Sequence, residues 1–249
     1  MKLTPVCIMV AGLAACETAP ITGRSQLILV NDAEVQALGL QAYQEMKKKQ
    51  PLSSNRSLNA RVQQVGRDIA RISPKPDWDW EFSLFDNDSP NAFALPGGKV
   101  GVNTGLFKAA KNDDQLAAVM GHEVAHAIAR HGAERMSQGQ LAQAGGVAVG
   151  VATGSQTYVG AYSALAQFGF ALPNSRTQES EADHIGLLYM AEAGYDPRGA
   201  VELWRNMQEI GGNGPTEWMS THPSPGNRIK RLEELMPEAL AVYQKRAAN

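Results

Sequence analysis

Apolar residues recur at helical spacing in the first third of the chain. Two series lie three or four residues apart: Val35, Leu38, Ala42, Met46, and then Leu58, Val62, Val65, Ile69, Ile72. Each series predicts an amphipathic helix, and the proline-containing turn at 73–77 ends the second. The preceding "RSQLILVND" predicts a strand or extended segment that leads to a helix cap at Asn31 or Asp32.

The pattern changes between Trp78 and Asn103. "WDWEFSLFDND" and "NAFALPGGKVGVNTG" alternate apolar and polar residues and are rich in β-prone types, with the turn residues "PGG" at 96–98. This predicts a small sheet that contains a hairpin. Beyond Phe107 helical spacing returns almost to the end, with helices predicted at 113–130, 179–193, 197–210 and 226–245. The fold class is therefore α+β, predominantly α, with a single domain over 24–249.

Residues 139–170 are rich in Gly and Ala and poor in charge. They could form a lid or a membrane-touching segment, or a pair of helices that pack closely through small residues. Polar side chains interrupt the stretch too often for a spanning helix: Gln140, Gln143, Ser155 and Gln156. The packed helices are the favoured interpretation.

Composition excludes one large class of partner. The chain has 249 residues, 43% of them hydrophobic, which is enough for a sizeable core. Its formal charge of −2 and its pI near 6.2 leave no clustered basic face of the kind that binds nucleic acid. No nucleic-acid partner is expected, and the sequence does not indicate the oligomeric state.

The first sixteen residues predict export and lipidation. "MKLTPVCIMVAGLAAC" combines an early lysine with a short apolar run and small residues before Cys16, as in a bacterial lipobox. The alternatives are an ordinary secretory signal or a membrane helix, and the run is too short for the latter. We expect residues 1–15 to be a signal peptide, Cys16 to carry lipid and 16–23 to be a tether. Glu17 follows the cysteine, and by resemblance to lipoprotein sorting in enteric bacteria the absence of Asp there favours the outer membrane over the inner.

Cysteine usage agrees with this interpretation. The chain has two cysteines, and Cys7 lies within the segment that would be removed. The mature protein would have no internal disulfide, so its stability must come from packing.

The strongest local motif is "HEVAH", residues 122–126. On a helix His122 and His126 lie one turn apart on one face, where both imidazoles can bind one zinc ion. Glu123 lies about 100° round the helix, from where its carboxylate can reach a zinc-bound water without being a ligand. Such chemistry needs neutral imidazoles on the metal, a water whose pKa falls to about 7, and a general base.

A five-residue motif can also arise by chance on a surface helix. Against this, Asn112 and Gln115 predict a capped start and Gly132 a stop, so the segment has the size of a helix. Its apolar residues are mostly Ala, Val and Met, which lets another helix approach closely. We therefore interpret the motif as part of a metal site.

Catalytic zinc generally keeps three protein ligands, so one is missing. His131 is the first candidate, but a metzincin would place Gly at 129 and His at 132, where this chain has Ala129 and Gly132. His131 is expected to be a solvated residue at the helix end.

The stretch "QESEADH", residues 178–184, supplies carboxylates. On a helix Glu179 and Asp183 share a face, whereas Glu181 points about 200° away from Glu179. Glu179 is the predicted third ligand, and Asp183 is predicted to accept a hydrogen bond from a ligating histidine. Glu181 and His184 are predicted bystanders. The alternative is a helix start decorated with acids that favour the macrodipole.

At this point the sequence resembles a family of zinc metallopeptidases that includes the CAAX prenyl endopeptidases and the HtpX membrane proteases. It is most similar to their exported bacterial lipoprotein members, roughly from Ile21 to Leu235. The motifs that carry the resemblance occur in the family's order: "TGRSQLILV", "NAFALPGGKVGVNTGL", "HEVAH", "ESEAD" and "THPSPGNRI". The resemblance implies a zincin-like domain of the gluzincin type.

The resemblance also implies residue roles. Zinc would be bound by His122, His126 and Glu179, with Glu123 as catalytic acid/base and Asp183 beside a ligand. Two residues of the last motif, His222 and Arg228, would approach the active site. His222 would stabilise the oxyanion or bind zinc in a resting form.

The segment "NAFALPGG" resembles the edge strand on which such enzymes bind an extended peptide by strand addition. The substrate-binding residues would be Asn91, Ala92, Phe93 and Ala94. The alternative is an internal hairpin with no ligand role. Unlike the membrane-spanning relatives, the mature chain has no predicted spanning helix, so prenylated substrates are not implied.

These observations predict a lipid-anchored zinc endopeptidase of the bacterial envelope, in the periplasm at the outer membrane. Its substrates would be unfolded or misassembled envelope proteins, and outer-membrane assembly machinery is a candidate partner. A second hypothesis is an envelope chaperone or assembly factor whose zinc site is closed by His222 as a fourth ligand. A third is a binding lipoprotein in which the HExxH motif is accidental.

Overall fold

The computed structural model of the chain describes residues 16–153, 174–211, 217–222 and 227–248. Strand β1 (Cys16–Thr18) pairs antiparallel with β2 (Ser25–Leu27). The segment 16–23, expected to be a tether, thus contains a strand that is hydrogen-bonded to the rest of the chain. The signal-peptide prediction and most of the Gly/Ala-rich stretch, residues 154–170, lie outside the described residues.

The two predicted N-terminal helices are confirmed. Helix α1 spans Asp32–Lys49 and α2 spans Arg56–Ile72, and each is capped by an asparagine side chain, Asn31 and Asn55. The buried stripe of α1 differs from the predicted one, since Leu38 is exposed and the helix buries Val35, Gly39 and Tyr43 instead. Gly39 is needed there because a Cβ atom would lie 2.6 Å from the Pro96 carbonyl oxygen.

The small sheet has three strands in the order β3–β5–β4. β3 (Glu81–Phe85) runs parallel to the fully buried central strand β5 (Lys99–Asn103), and β4 (Ala92–Leu95) pairs antiparallel with β5. Gly97 and Gly98 adopt φ values of 81° and 85°, so the turn requires residues without a side chain. The predicted hairpin is confirmed, and β4 is an edge strand of this sheet.

After a 3-10 turn at Thr104–Lys108 the chain is helical in its described parts. The helices are α3 (Asp113–Ile128), α4 (His131–Thr153), α5 (Arg176–Ala193), α6 (Arg198–Ile210), α7 (Glu217–Thr221) and α8 (Arg228–Ala247). The predominantly α, α+β class is confirmed. Within the described ranges, no helix combines the length and apolar character needed to cross a bilayer.

Both ends of α3 differ in part from the prediction. Asn112 caps its start by accepting from the Gln115 N–H, but the Gln115 side chain accepts from Lys111 and not from the cap residue. The chain turns at Arg130, whose φ is 59°, and Gly132 lies inside α4. The expected stop at Gly132 is therefore wrong, because the turn lies two residues earlier and is made by a non-glycine residue in the left-handed region.

Helices α3 and α5 meet at the centre of the core through two glycines. A Cβ atom on Gly121 would lie 2.7 Å from the Gly186 carbonyl oxygen, and one on Gly186 would lie 2.7 Å from the His122 nitrogen. The two backbones are thus in direct contact. This close packing fixes the first turns of α5 against the "HEVAH" turn of α3.

Candidate metal centre

Three side chains from α3 and α5 converge in the protein interior. His122, His126 and Glu179 are all buried. The Nε2 atoms of the two histidines lie 3.0 Å apart. Glu179 Oε2 lies 3.4 Å from His122 Nε2, and Glu179 Oε1 lies 3.2 Å from His126 Nε2. The structure therefore brings together the three residues predicted as ligands.

The donor atoms fit a cation at their centre. Glu179 Oε1 is fully buried and accepts no hydrogen bond with acceptable geometry, even though His126 Nε2 lies close to it. A buried carboxylate oxygen without a partner is costly unless a proton or a metal ion satisfies it. Two imidazoles and a carboxylate are a common donor set for catalytic zinc. One ligand atom of His222 lies within 4.8 Å of one on each of the other three, so this group could hold a metal ion.

His122 is supported from outside the cluster by α5 and α8. Its Nδ1 atom lies 3.0 Å from Asp183 Oδ1, as the helical spacing of Glu179 and Asp183 predicted. Arg228 donates to Asp183 and, over 3.0 Å, to Glu179 Oε2. The Arg228 guanidinium also stacks 3.9 Å from the centre of the Trp204 ring. These contacts fix the orientation of the His122 ring and of the Glu179 carboxylate.

The pKa values in the cluster follow from burial and from these pairs. Burial opposes ionisation of Glu179, but the close approach of His122 and His126 holds its pKa well below the usual range. Burial lowers the pKa of His126 far enough to keep the ring neutral. Burial and Arg228 also lower the pKa of His122, yet hydrogen bonds with Asp183 and Glu179 raise it to about 9.

Glu123 faces α7. Its Oε1 atom accepts a hydrogen bond of 2.9 Å from Trp218 Nε1 and lies 3.3 Å from His222 Nε2. His222 Nδ1 lies 3.1 Å from the Trp218 carbonyl oxygen, and burial lowers the pKa of the His222 ring. Nδ1 also lies 2.9 Å from Thr221 Oγ1, and Nε2 is the ring nitrogen that faces Glu123 and the cluster.

Sequence reasoning missed Trp218. It is almost fully buried and is the hydrogen-bond donor that orients Glu123. The available signal was its position four residues before His222 in "WMSTH", which places both side chains on one face of a single helical turn.

A cleft with a volume of about 190 Å³ opens beside the cluster. Strand β4 with its flanking residues 91–96 forms one wall, and Glu123, His126 and His222 contribute to the lining. The small sheet therefore borders the cleft with its edge strand, as expected.

The hydrogen-bond pattern shows which peptide groups of β4 face outward. Asn103 N–H donates to the Asn91 carbonyl oxygen, so this pair, and every second pair after it, bonds across to β5. Ala92 and Ala94 therefore direct their N–H and C=O groups to the outer edge. Ala92 is buried and Ala94 is partly exposed, so of the predicted substrate-binding residues Ala94 has backbone groups suited to pairing with a peptide.

The expectation for His131 was wrong. It is fully buried, and its Nδ1 atom lies 2.7 Å from His126 Nδ1, while its Nε2 atom lies 3.0 Å from Glu181 Oε2. The reason is the turn at Arg130, which folds the start of α4 back onto α3 and α5. Burial lowers the pKa of the His131 ring, so the neutral form is favoured.

Glu181 also differs from a bystander. It is buried and accepts hydrogen bonds from Thr22 and, over 2.6 Å, from Arg24 Nε. Burial opposes its ionisation, but hydrogen bonds with His131, Thr22 and Arg24 lower its pKa to about 2. His184 lies away from the cluster, 2.9 Å from Glu238. Nothing is described of the Cys16 side chain, so its lipidation stays a prediction.

Comparison with known proteins gives the family. The profile of Peptidase family M48 matches residues 56–236. The chain is 37% identical over 229 residues to the Mitochondrial metalloendopeptidase OMA1 of Schizosaccharomyces pombe, covering 90% of this chain and 67% of that protein. It is 32% identical to the Metalloendopeptidase OMA1, mitochondrial, of Homo sapiens, and 27% identical to the Beta-barrel assembly-enhancing protease of Escherichia coli.

These two alignments cover 92% and 86% of this chain but only 47% and 46% of the relatives, so the chain spans about half the length of each. The zinc metallopeptidase family expected from the motifs is confirmed, while the narrower likeness to exported lipoproteins stays a prediction. By its matching profile, its similar proteins and its buried His/Glu group, the chain belongs to Peptidase family M48 and is a metalloendopeptidase.

Proposed function

We propose that the chain is a lipid-anchored zinc endopeptidase of the bacterial envelope that degrades unfolded or misassembled envelope proteins. The observation that carries the proposal is the convergence of His122, His126 and Glu179 beside a cleft that also contains Glu123. A metal ion held there would face both the general base and the edge of β4. No other group of side chains in the described ranges combines these features.

Zinc would be held by His122, His126 and Glu179, and when bound it polarises the scissile carbonyl and lowers the pKa of water to about 7. Glu123 removes a proton from the attacking water and returns it to the leaving amine. Trp218 holds Glu123 in place for both transfers by donating to Oε1, which leaves Oε2 to handle the proton. Asp183 and Arg228 keep the His122 ring aligned.

The substrate would bind as an added strand on β4. Ala94 offers an outward-facing N–H and C=O at the partly exposed edge, and an extended peptide can pair with them whatever its side chains are. Only a segment without its own secondary structure can bind in this way. Selection of unfolded or misassembled proteins follows directly from this mode of binding.

Envelope location and lipid attachment are supported by the "LAAC" sequence that ends at Cys16. The similar protein of Escherichia coli, named for β-barrel assembly, makes outer-membrane assembly machinery a candidate partner. A Cys16→Ser variant should lose incorporation of labelled palmitate and leave the membrane fraction, whereas Cys7→Ser should keep both. Equal labelling of the two variants would refute lipidation at Cys16.

A second candidate function is an envelope chaperone or assembly factor with a closed metal site. His222 Nε2 faces the cluster, so with its proton on Nδ1 the ring can act as a fourth ligand and close the open position. His222→Ala separates the two roles. Turnover rises in this variant if His222 closes the site, and it falls if His222 stabilises the oxyanion.

The main proposal is tested with the full chain purified in mild detergent without chelator. We expect one zinc per chain and cleavage of β-casein that stops with 1,10-phenanthroline and returns when zinc is added. Cleavage that the chelator leaves unchanged would contradict the proposal. Stoichiometric zinc without turnover in the wild type, together with turnover that appears in His222→Ala, would favour the chaperone function with its closed site.

A further inference from the structure

The second ring nitrogen of His126 faces another histidine. In the cluster His122 is supported by a carboxylate at its Nδ1 atom, the usual arrangement for a metal-binding histidine. Among the described residues, no carboxylate is paired with Nδ1 of His126. Its Nδ1 atom instead lies 2.7 Å from Nδ1 of the fully buried His131.

Only one arrangement of protons satisfies this contact together with metal binding. His126 must present the Nε2 lone pair to the metal, so its Nδ1 atom carries the proton. His131 Nδ1 must then accept, which leaves the proton of His131 on Nε2. That atom lies 3.0 Å from Glu181 Oε2, a carboxylate oxygen that can accept it.

Glu181 is in turn fixed by the N-terminal segment. Arg24 Nε donates to the same oxygen, Oε2, over 2.6 Å, and Thr22 donates to Oε1. The other nitrogens of the Arg24 guanidinium donate to both oxygens of Glu134 over 2.7 and 2.8 Å. Glu181 is almost fully buried and has a definite orientation, so its acceptor is held directly opposite His131.

We propose that His131 and Glu181 are positioning residues that fix the tautomer and the ring orientation of His126, with Arg24 and Thr22 holding the outer end of this relay. We call this chain of hydrogen bonds, from His126 through His131 to Glu181, the relay. It rests on the proposed metal site and gives a positioning role to two residues that do not touch the metal. It also explains why residues 22–24 are bonded to the core more than 100 residues away in sequence. The N-terminal segment thereby becomes part of the support of the metal centre.

The test begins with the wild-type full chain, so it does not depend on the folding of a variant. In zinc-loaded protein with ¹⁵N-labelled histidine, long-range ¹H–¹⁵N spectra report which ring nitrogen carries the proton. We expect a protonated Nδ1 on His126 and a protonated Nε2 on His131. A His131 ring with its proton on Nδ1 would overturn the proposal.

Zinc affinity, measured by competition with a chromophoric chelator, tests the same relay by substitution. His131→Leu should weaken zinc binding about 10- to 100-fold, the typical effect of losing a partner of a metal-binding histidine. His131→Asn should recover part of the loss, because the asparagine oxygen can accept where Nδ1 did. Glu181→Leu should weaken binding over the same range. His184→Leu, on the same helix as Glu181, is the matched control and should bind zinc as tightly as the wild type does.

Failure of the relay and failure of the proposed function give different results. If the wild type binds no zinc, the metal site itself is refuted. If the wild type binds zinc and cleaves casein, but His131→Leu and Glu181→Leu bind zinc as tightly as the wild type does, only the relay is refuted. Thermal unfolding of the zinc-free variants separates affinity from folding, and an asparagine variant as weak in zinc binding as the leucine variant would also count against the relay.

Discussion

Gly186→Ala is expected to disturb the metal centre without touching any ligand. The added Cβ atom would lie 2.7 Å from the His122 nitrogen and 2.8 Å from the Gly121 carbonyl carbon. Ordinary contacts begin at 3.4 Å. Both neighbours are backbone atoms of α3, so no side chain can rotate away and the two helices must separate. A movement of ~0.7 Å is therefore needed to restore an ordinary contact.

This movement is large compared with the positional tolerance of a metal site, but its effect on the free energy of unfolding is modest. Glu179 and Asp183 lie on the same helix within two turns of Gly186, and functional geometry tolerates only about 0.5 Å. We expect zinc affinity to fall at least about tenfold. Overpacking costs about 1–3 kcal/mol, and replacing a helical glycine by alanine returns about 1 kcal/mol, so the zinc-free chain should lose only ~0–2 kcal/mol.

The assay compares zinc affinity with urea unfolding of the zinc-free chain. Gly66→Ala is the matched control, because its Cβ would lie 2.4 Å from a Phe82 side-chain carbon, at a contact between α2 and β3, neither of which carries a residue of the cluster. It should cost a similar amount of stability and keep wild-type zinc affinity. If Gly186→Ala binds zinc as tightly as the wild type, the close α3–α5 contact does not position the ligands and the reasoning fails.

Three further predictions follow from the same structure. Ala94→Pro removes an outward N–H from the edge strand and should raise KM for an extended peptide with little change in kcat; an unchanged KM would exclude strand addition there. Glu179→Ala should purify without zinc, and a stoichiometric metal content would exclude Glu179 as a ligand. The folded pKa of Glu181 is about 2 against an ordinary 4.5, so its stabilisation of the zinc-free chain is complete above pH 4.5 and is lost as the pH falls toward 2. Urea unfolding should show this loss in the wild type and a smaller one in Arg24→Met, and an equal loss in both would contradict the Arg24–Glu181 pairing.

Periodicity and residue chemistry in the sequence predicted the helices, the hairpin and the cluster. Spacing of four residues places His122 with His126, and Glu179 with Asp183, whatever the rest of the fold does. The sequence also predicted that the two pairs meet, because a site with two histidines needs a carboxylate. The predictions therefore agree with the structure where they rest on local helix geometry and on the ligands that a metal ion needs.

The failures have a common physical cause in long-range contacts. His131 was expected in solvent because nothing near it in sequence covers it, whereas the covering residues are Glu181, fifty positions later, and its partner Arg24 in the N-terminal segment. The turn at Arg130 is equally unpredictable, since a positive φ at a non-glycine residue is imposed by packing and not by local preference. Local sequence preferences instead predicted that the helix stops at Gly132.

The central claim is that Glu123 performs the proton transfers at a metal centre that forms without it. The most direct test is Glu123→Gln, which keeps the size of the side chain and an oxygen that can accept from Trp218, but removes the base. We predict one zinc per chain, as in the wild type, together with a loss of β-casein cleavage of at least about a hundredfold. Zinc-loaded Glu123→Gln that cleaves β-casein at the wild-type rate would contradict the account.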